Sequence, residues 1–147
     1  MKHAITSMYA NPIHPGHIEC LRLSKQICDV LWVIVNNDAQ AEMKRGTKSF
    51  QDQKYRLEVV KAIRYVDNAF IASDTDGSVC NSIENIYSII HGIDPKAEII
   101  FTKGGDRFAG NIPEKEVCDR LGIQIVDGLG SKTHNSSDMI RKVNASL

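Results

Sequence analysis

The chain alternates short, mostly apolar runs with segments in which only every third or fourth residue is apolar. Apolar runs of this length are typical of strands, and they lie at 4–9, 30–35, 68–72, 97–102 and 123–126. The other periodicity predicts helices at 16–28, from 52 onward, at 82–91, from 113 to 121, and at 137–144. The run at 30–35 has no polar position, which is typical of a strand that helices cover on both faces.

Strand and helix therefore follow each other five times, and this order predicts an α/β fold. We expect a single Rossmann-like domain over 1–147, with a five-stranded parallel sheet and helices on both faces. The polar segment 39–51 is predicted to be a flexible loop. In the helix that begins after it, Tyr55 is expected on the inner face, and Gly92 is expected to end the helix predicted at 82–91.

Composition and charge exclude some classes of function. Of the 147 residues 42% are hydrophobic, and 18 basic side chains balance 18 acidic ones. A nucleic-acid or membrane-surface binder needs a basic surplus, so we expect neither partner, and any anion site must be local. No apolar run approaches the length of a membrane span, no secretory leader pattern precedes the first strand, and the four cysteines show no close pairing. These features predict a cytoplasmic protein with buried thiols.

The first strand-to-helix junction carries two histidines, His14 and His17, separated by Pro15 and Gly16. Pro-Gly favours a tight turn, and Gly16 has no side chain that would block a close ligand. A helix N-terminus offers unpaired N–H groups and the positive end of the helix dipole. Two imidazole donors beside it are typical of a phosphate site, and the alternative is a pair of ordinary loop histidines.

Other polar groups follow the other predicted strands. Lys44 and Lys48 come after the second strand, the segment 103–106 (Lys-Gly-Gly-Asp) after the fourth, and Ser136 with Ser137 after the fifth. The loops that follow parallel strands meet at one edge of the sheet. We therefore expect these groups to converge with the histidine pair on one crevice that binds phosphates.

Two motifs near the ends of the chain carry a family resemblance. The segment 11–17 (Asn-Pro-Ile-His-Pro-Gly-His) resembles the His-x-Gly-His signature of the nucleotidyltransferase superfamily that includes the cytidylyltransferases. The segment 135–141 (Asn-Ser-Ser-Asp-Met-Ile-Arg) resembles the second signature of that family. Segment 103–106 is similar to the matching loop of the ADP-heptose synthase nucleotidyltransferase domain, and 64–67 (Arg-Tyr-Val-Asp) to a helix end of glycerol-3-phosphate cytidylyltransferase.

The resemblance implies attack of a substrate phosphate on the α-phosphorus of a nucleoside triphosphate, with release of pyrophosphate. It implies a catalytic group of His14, His17, Lys44 and Arg141. It implies nucleotide contacts from Tyr9, Ala10, Asn11, Gly16, Gly104, Asp106, Ser136 and Ser137, and acceptor contacts from Arg56, Lys48 and Arg107. Several of these residues have a simpler alternative. The two lysines, Arg56 and Arg107 could be plain surface charges, and Ser137 could be a helix cap. Mg²⁺ is expected to arrive with the triphosphate, and a homodimer is expected.

The substrates stay open at this point. The Lys-Gly-Gly-Asp segment favours ATP with a sugar phosphate, and the alternative is CTP with glycerol phosphate or a similar acceptor. A non-catalytic nucleotide-binding module is an alternative of another class, because Asp138 replaces the threonine of the second signature and 8–11 departs from the usual Gly-x-Phe-Asp. A dinucleotide-binding oxidoreductase is disfavoured, since no G-x-G-x-x-G follows the first strand.

Overall fold

A computed structural model describes residues 1–104 and 112–130. Within these ranges the strands are β1 (Lys2–Met8), β2 (Val30–Val35), β3 (Asn68–Ile71), β4 (Glu98–Gly104) and β5 (Gln124–Leu129). The helices are α1 (Pro15–Gln26), α2 (Asp38–Arg45), α3 (Gln53–Lys61), α4 (Cys80–Ile93) and α5 (Lys115–Leu121). The helix predicted at 137–144 lies outside the described residues.

The five strands form one parallel sheet in the order β3-β2-β1-β4-β5. From β1 the chain first builds outward through β2 and β3, and it then returns to the other side of β1 to add β4 and β5. The order of strands therefore reverses between β1 and β4. Open α/β sheets bind ligands beside such a reversal, outside the carboxyl ends of the strands. This arrangement confirms the predicted α/β, Rossmann-like fold.

Each face of the sheet has its own buried core. On one face, residues such as Leu21 of α1 and Val60 of α3 pack against Leu31 and Val33 of β2. On the other face, α4 and α5 pack against Ile5, Trp32 and Phe101, and their contact residues include Ile83, Ile86, Ile90, Val117 and Cys118. Burial on both faces explains why β2 is apolar at every position, as its sequence predicted. None of the helices in the described ranges has the length and apolar character that a membrane crossing requires.

The segment 39–51 is not the flexible loop that its polarity predicted, because its residues up to Arg45 belong to helix α2. Asn37 caps this helix: its side chain accepts from the backbone N–H of Gln40, and the Gln40 side chain accepts in return from the N–H of Asn37. Gly46 ends the helix with a φ of 76°, a conformation that glycine adopts without a steric penalty. Two well-made caps thus stabilise a helix whose apolar pattern is too weak to reveal it.

Two details of the neighbouring helices also differ from expectation. Tyr55 lies on the outer side of α3 and is exposed, whereas the next residue, Arg56, is completely buried. Gly92 does not end α4, which continues to Ile93 and is capped by Asp94. The helical spacing alone had favoured the aromatic side chain for the inner face, but the hydrogen bonds that Arg56 makes there outweigh this preference.

Candidate active site

The turn from β1 into α1 is built by the two histidines themselves. His14 is the N-cap of α1, and its Nδ1 accepts a hydrogen bond from the backbone N–H of Gly16 at 3.0 Å. His17 is the third residue of the helix, and its Nδ1 accepts from the backbone N–H of His14 at 3.1 Å. The two rings stack with their centroids 3.8 Å apart. This is a reciprocal cap in which imidazoles take the places that Ser and Glu usually hold.

These two hydrogen bonds fix the chemistry of the rings. A ring nitrogen that accepts a hydrogen bond carries no proton, so the proton of each neutral imidazole is on Nε2. Each histidine is therefore oriented by its Nδ1 and keeps an N–H donor at Nε2. The pair stands at the N-terminus of a twelve-residue helix, whose dipole favours an anion.

His17 is held in the neutral form. Burial, followed by the nearby His14 and Lys44, lowers the pKa of His17 from its usual 6.5 to about 3. The largest cause is desolvation, which penalises the charged imidazolium, and the helix N-terminus acts in the same direction. Without a bound anion, His17 is therefore an uncharged donor at neutral pH.

Helix α2 brings Lys44 to the same place. The Lys44 ammonium lies 4.3 Å from the centre of the Tyr9 ring, and its charge acts on His17. Tyr9 directly follows β1, so this contact joins the carboxyl ends of β1 and β2. The structure thus places Lys44 near His17, although Lys44 belongs to a helix and not to a loop. Lys48 is exposed, and it has no hydrogen bond or ion pair with another described residue.

The position of α2 depends on a polar network that sequence reasoning missed. The Asn37 amide donates to the carbonyls of Ala72 and Asp74, and the Gln40 amide donates to those of Asp76 and Ser78. These acceptors lie in the segment that follows β3, more than thirty residues along the chain. A sequence offers no local signal for such a contact, apart from the presence of amide side chains directly after a buried strand.

Burial contradicts the alternative that Arg56 is a plain surface charge, and the acceptor contact expected of it stays untested. Its side chain is completely buried. The guanidinium donates to the carbonyls of Tyr9 and Asn36 at 2.7 Å, to that of Gln51 at 2.9 Å, and to the Asp38 carboxylate at 3.0 Å. Its partners in the described part of the chain are thus the protein's own backbone and one aspartate.

Two residues between β1 and the histidines, Ala10 and Asn11, are also buried. Asn11 is fully buried, and its Oδ1 accepts from the backbone N–H of Gln51 at 2.9 Å. Its Nδ2 has no hydrogen-bond partner in the structure described here. Ala10 is buried with a φ of 50°, in the left-handed region that non-glycine residues seldom adopt. Among the three residues expected to contact nucleotide, Tyr9, Ala10 and Asn11, two are therefore inside the turn that shapes the site.

Gly104 lies where β4 ends, beside α1. A Cβ placed on it would come within 3.1 Å of the Cys20 Sγ and 3.2 Å of the Leu129 carbonyl oxygen. The space left by its missing side chain is thus taken by α1 and β5. A buried pair of hydroxyls, Ser24 and Thr102, makes a second link between α1 and β4 at 2.8 Å. These contacts set the height of α1, and hence of the histidine pair, above the sheet.

An open groove of about 490 Å³ borders His14 on the outer side of α1. Its lining is mostly apolar and includes Ile13, Pro15 and Ile18, with Glu19 and Arg22 at the far end. Gly16, the second residue of α1, adds no side chain to it. The site therefore combines hydrogen-bond donors with an adjoining apolar wall.

The remaining predicted site residues lie outside the described residues: Asp106, Arg107, Ser136, Ser137 and Arg141, together with Asp138. Whether the histidine pair faces the serine pair across one cleft thus stays a prediction. Within the described ranges no group of three or more His, Cys, Asp or Glu side chains is arranged to hold a metal ion.

Known proteins with similar sequences belong to one broad group. The family model described as cytidylyltransferase-like matches residues 9–142. An FAD synthase of Methanocorpusculum labreanum is 29% identical over 143 residues, which cover 95% of this chain and 94% of that protein. An FAD synthase of Pyrococcus horikoshii is 41% identical over 59 residues, which cover 40% of each protein.

Another relative is much longer than this chain, and the fold is also shared with a solved structure. The bifunctional protein HldE of Bradyrhizobium sp. is 27% identical over 131 residues, which cover 87% of this chain and 24% of that protein. A lipopolysaccharide core biosynthesis protein of Thermoplasma volcanium GSS1 has a crystal structure with a TM-score of 0.62. The two sequences are 22% identical, and the match covers 88% of this chain and 98% of the other. At this identity the similarity supports only the fold.

Proposed function

Because this chain belongs to the cytidylyltransferase-like family of nucleotidyltransferases, we propose that it transfers the adenylyl group of ATP to a small phosphorylated metabolite. The single observation that carries this proposal is the stacked histidine pair at the start of α1. Both rings are fixed through Nδ1, and both keep an Nε2 proton to donate to phosphate oxygens. The pair stands where the strand order reverses, at the usual ligand-binding edge of such a sheet.

In the proposed reaction, a phosphate oxygen of the acceptor attacks the α-phosphorus of ATP. The bond from the α-phosphorus to the bridging oxygen of the β-phosphate breaks, and pyrophosphate leaves with that electron pair. Such a transfer asks a protein for positioning and for stabilisation of the charge that builds up on the leaving group. His14 and His17 would donate to the α- and β-phosphate oxygens, and Lys44 would add the positive charge that neutral His17 lacks.

The other site residues are assigned by the family resemblance. Ser136, Ser137 and Arg141 would hold the β- and γ-phosphates, Asp106 the nucleoside, and Lys48 with Arg107 the acceptor. Mg²⁺ would enter with the triphosphate, bound mainly to phosphate oxygens and water. It would offset charge on the phosphates, and the chain's own residues would orient them.

For the acceptor, we propose flavin mononucleotide as the first compound to test. Two of the relatives are named FAD synthases, and FAD is an adenylyl group joined through a phosphoanhydride bond to flavin mononucleotide. The apolar groove beside His14 also supports this choice, since it offers packing surface for one flat ring system, either adenine or flavin. A hydroxyl-rich sugar would find few polar partners on Ile13, Pro15 and Ile18.

A sugar phosphate is the second candidate acceptor. It is supported by the similarity to the bifunctional protein HldE and by the Lys-Gly-Gly-Asp segment at 103–106. The choice between ATP and CTP belongs to the same test, because the chain is similar to families that use either nucleotide.

The test measures pyrophosphate release with each of ATP and CTP over flavin mononucleotide, sugar phosphates and glycerol 3-phosphate, with products identified by mass. We expect turnover with ATP and flavin mononucleotide. His17→Ala should lower kcat by about 10²- to 10³-fold, the typical cost of removing one preorganised donor. A protein that binds ATP but yields no product with any acceptor would contradict the proposal.

The matched control is His91→Ala. His91 lies in the last turn of α4, where its ring contacts Tyr87, away from the histidine pair. We expect kcat for this variant to stay within twofold of the unmodified protein. If His17→Ala and His91→Ala were equally active, the role assigned to the histidine pair would be wrong.

A further inference from the structure

One buried guanidinium joins four segments that meet beneath the candidate site. Arg56 bonds to the carbonyl of Tyr9 after β1, to that of Asn36 after β2, to that of Gln51 before α3, and to the side chain of Asp38 at the start of α2. Four of its five N–H donors are used, at 2.7–3.0 Å. A single side chain thus fixes the relative positions of the segments that lead to the histidines and to Lys44.

The backbone next to this side chain is strained. Ala10 has a φ of 50°, in the left-handed region where its Cβ crowds the backbone. Such a conformation persists only where the surroundings hold it. Here a hydrogen bond anchors each side of Ala10: Arg56 holds the carbonyl of Tyr9, and the N–H of Gln51 holds the Oδ1 of Asn11. Since Arg56 also holds the carbonyl of Gln51, both anchors depend on its guanidinium.

Lys44 depends on the same arrangement. The Tyr9 ring lies under the Lys44 ammonium, and the carbonyl of Tyr9 is bonded to Arg56. Asp38, the first residue of α2, is ion-paired with Arg56 at 3.0 Å, and Lys44 stands in the last turn of that helix. Movement of the guanidinium would therefore shift the lysine and the turn before His14 together.

We propose that Arg56 is a positioning residue for nucleotidyl transfer: it sets the distance between the histidine pair and Lys44 without contacting substrate. This inference rests on the proposed function, because it assigns Arg56 to the same phosphate site. Lysine at this position would keep the charge, but it has one donor group in place of a planar fork and cannot reach all four partners. A displacement of about 1 Å in such a site is enough to cost on the order of 10² in rate.

The experiment compares Arg56→Lys and Arg56→Ala with the unmodified protein, each assayed well below its own Tm. We expect kcat to fall about 10- to 100-fold in Arg56→Lys and further in Arg56→Ala, while the dissociation constant for ATP changes less than fivefold. Added methylguanidinium should restore the kcat of Arg56→Ala at least tenfold, whereas sodium chloride at equal ionic strength should not. Arg120→Ala, which removes an exposed arginine of α5 paired with Glu84 of α4, on the opposite face of the sheet from α1, should keep full activity.

A purely structural role would give a different result. In that case Arg56→Lys would lower Tm but keep kcat within twofold, and this outcome would overturn the proposal. If Arg56→Ala does not fold, the kcat and ATP affinity of Arg56→Lys decide the question alone. Failure of the proposed function is separate, since it would appear as a lack of turnover in the unmodified protein. The proposal would then be judged by the NMR signals of the His14 and His17 rings, which should shift in Arg56→Lys and stay unchanged in Arg120→Ala.

Discussion

At the scale of single residues, the two histidines cap a helix with one nitrogen of each ring, and the proposed ligand site uses the other nitrogen. Each Nδ1 is used for the turn, and each Nε2 keeps its proton. A histidine outside such a turn can exchange the proton between its nitrogens, and this exchange would remove the donor in part of the molecules. The cap therefore makes the donors permanent before any phosphate arrives.

We predict that the Nε2–H form of the His17 ring is present in the ligand-free protein from pH 8 down to pH 5. Burial and two neighbouring groups lower the pKa of His17 to about 3, so acidification over this range should leave its ring neutral. Bound polyphosphate should raise this pKa, because an anion stabilises the imidazolium. Nitrogen chemical shifts of labelled histidine, recorded with and without pyrophosphate, measure both effects.

The lowered pKa of His17 also makes the free energy of unfolding depend on pH. The unfolded chain binds the His17 proton near pH 6.5, and the folded protein binds it only near pH 3. The unfolded state thus holds more protons between these values, and the free energy of unfolding should fall as the pH drops below 6.5. His17→Asn should make this fall shallower. An equal pH dependence in both proteins would show that His17 titrates normally.

At the scale of elements, α2 and α1 show where a local pattern fails and where it succeeds. The apolar spacing of α1 predicted its position to within two residues, because three buried residues mark its inner face. In α2 only Gln40 and Ala41 are buried. A helix held by caps and by amide hydrogen bonds to a distant segment has almost no apolar periodicity, and the sequence therefore suggested a loop.

We predict opposite effects of the same substitution at two glycines. Gly104→Ala should lower the free energy of unfolding by about 1–3 kcal/mol, because its Cβ would meet Cys20 and the Leu129 backbone. Gly92→Ala should raise it by about 0.5–1 kcal/mol, because this glycine is inside α4 and nothing lies within 4 Å of its added Cβ. Urea unfolding curves of both variants provide the measurement.

The result for Gly104→Ala distinguishes two reasons for a glycine at this position, helix packing and nucleotide binding. If Gly104→Ala kept full stability and lost ATP binding, the glycine would serve the nucleotide and not the packing of α1 on β4. If stability fell as expected while Gly92→Ala was also destabilised, the contrast between a crowded and an open position would have no support.

At the scale of the whole molecule, the strand order places the site. β1 is the central strand, and the carboxyl ends of β1 and β2 are joined by the contact of Tyr9 with Lys44 and by the hydrogen bonds of Arg56. The structure thus brings Lys44 near His17, while the shared role expected for His14, His17 and Lys44 stays a prediction. The convergence of these three with Ser136 and Arg141 stays a prediction, as do the homodimer and the cytoplasmic location.

This arrangement predicts unequal roles for two lysines that are four residues apart in the sequence. Lys44→Ala should lower kcat at least tenfold, because Lys44 lies over Tyr9 and acts on His17. Lys48→Ala should have a smaller effect on kcat and act mainly on the KM of the acceptor, since both lysines are exposed but Lys48 is bonded to no other described residue. Steady-state kinetics of the two variants compare them directly. A larger loss of kcat in Lys48→Ala would show that the phosphate-binding lysine was assigned to the wrong position.

The sequence by itself determined the alternation of strands and helices, the parallel sheet and the histidine turn. Each of these depends on residues that are close along the chain, so a periodicity or a short motif reveals it. Only the tertiary structure decided that Arg56 is buried, that α2 is a helix and that Gly104 makes room for Cys20. Most partners in these features are distant along the chain, as Tyr9 is from Arg56 and Cys20 from Gly104. A buried arginine and an exposed one have the same sequence signal until the fold brings carbonyl oxygens to one of them.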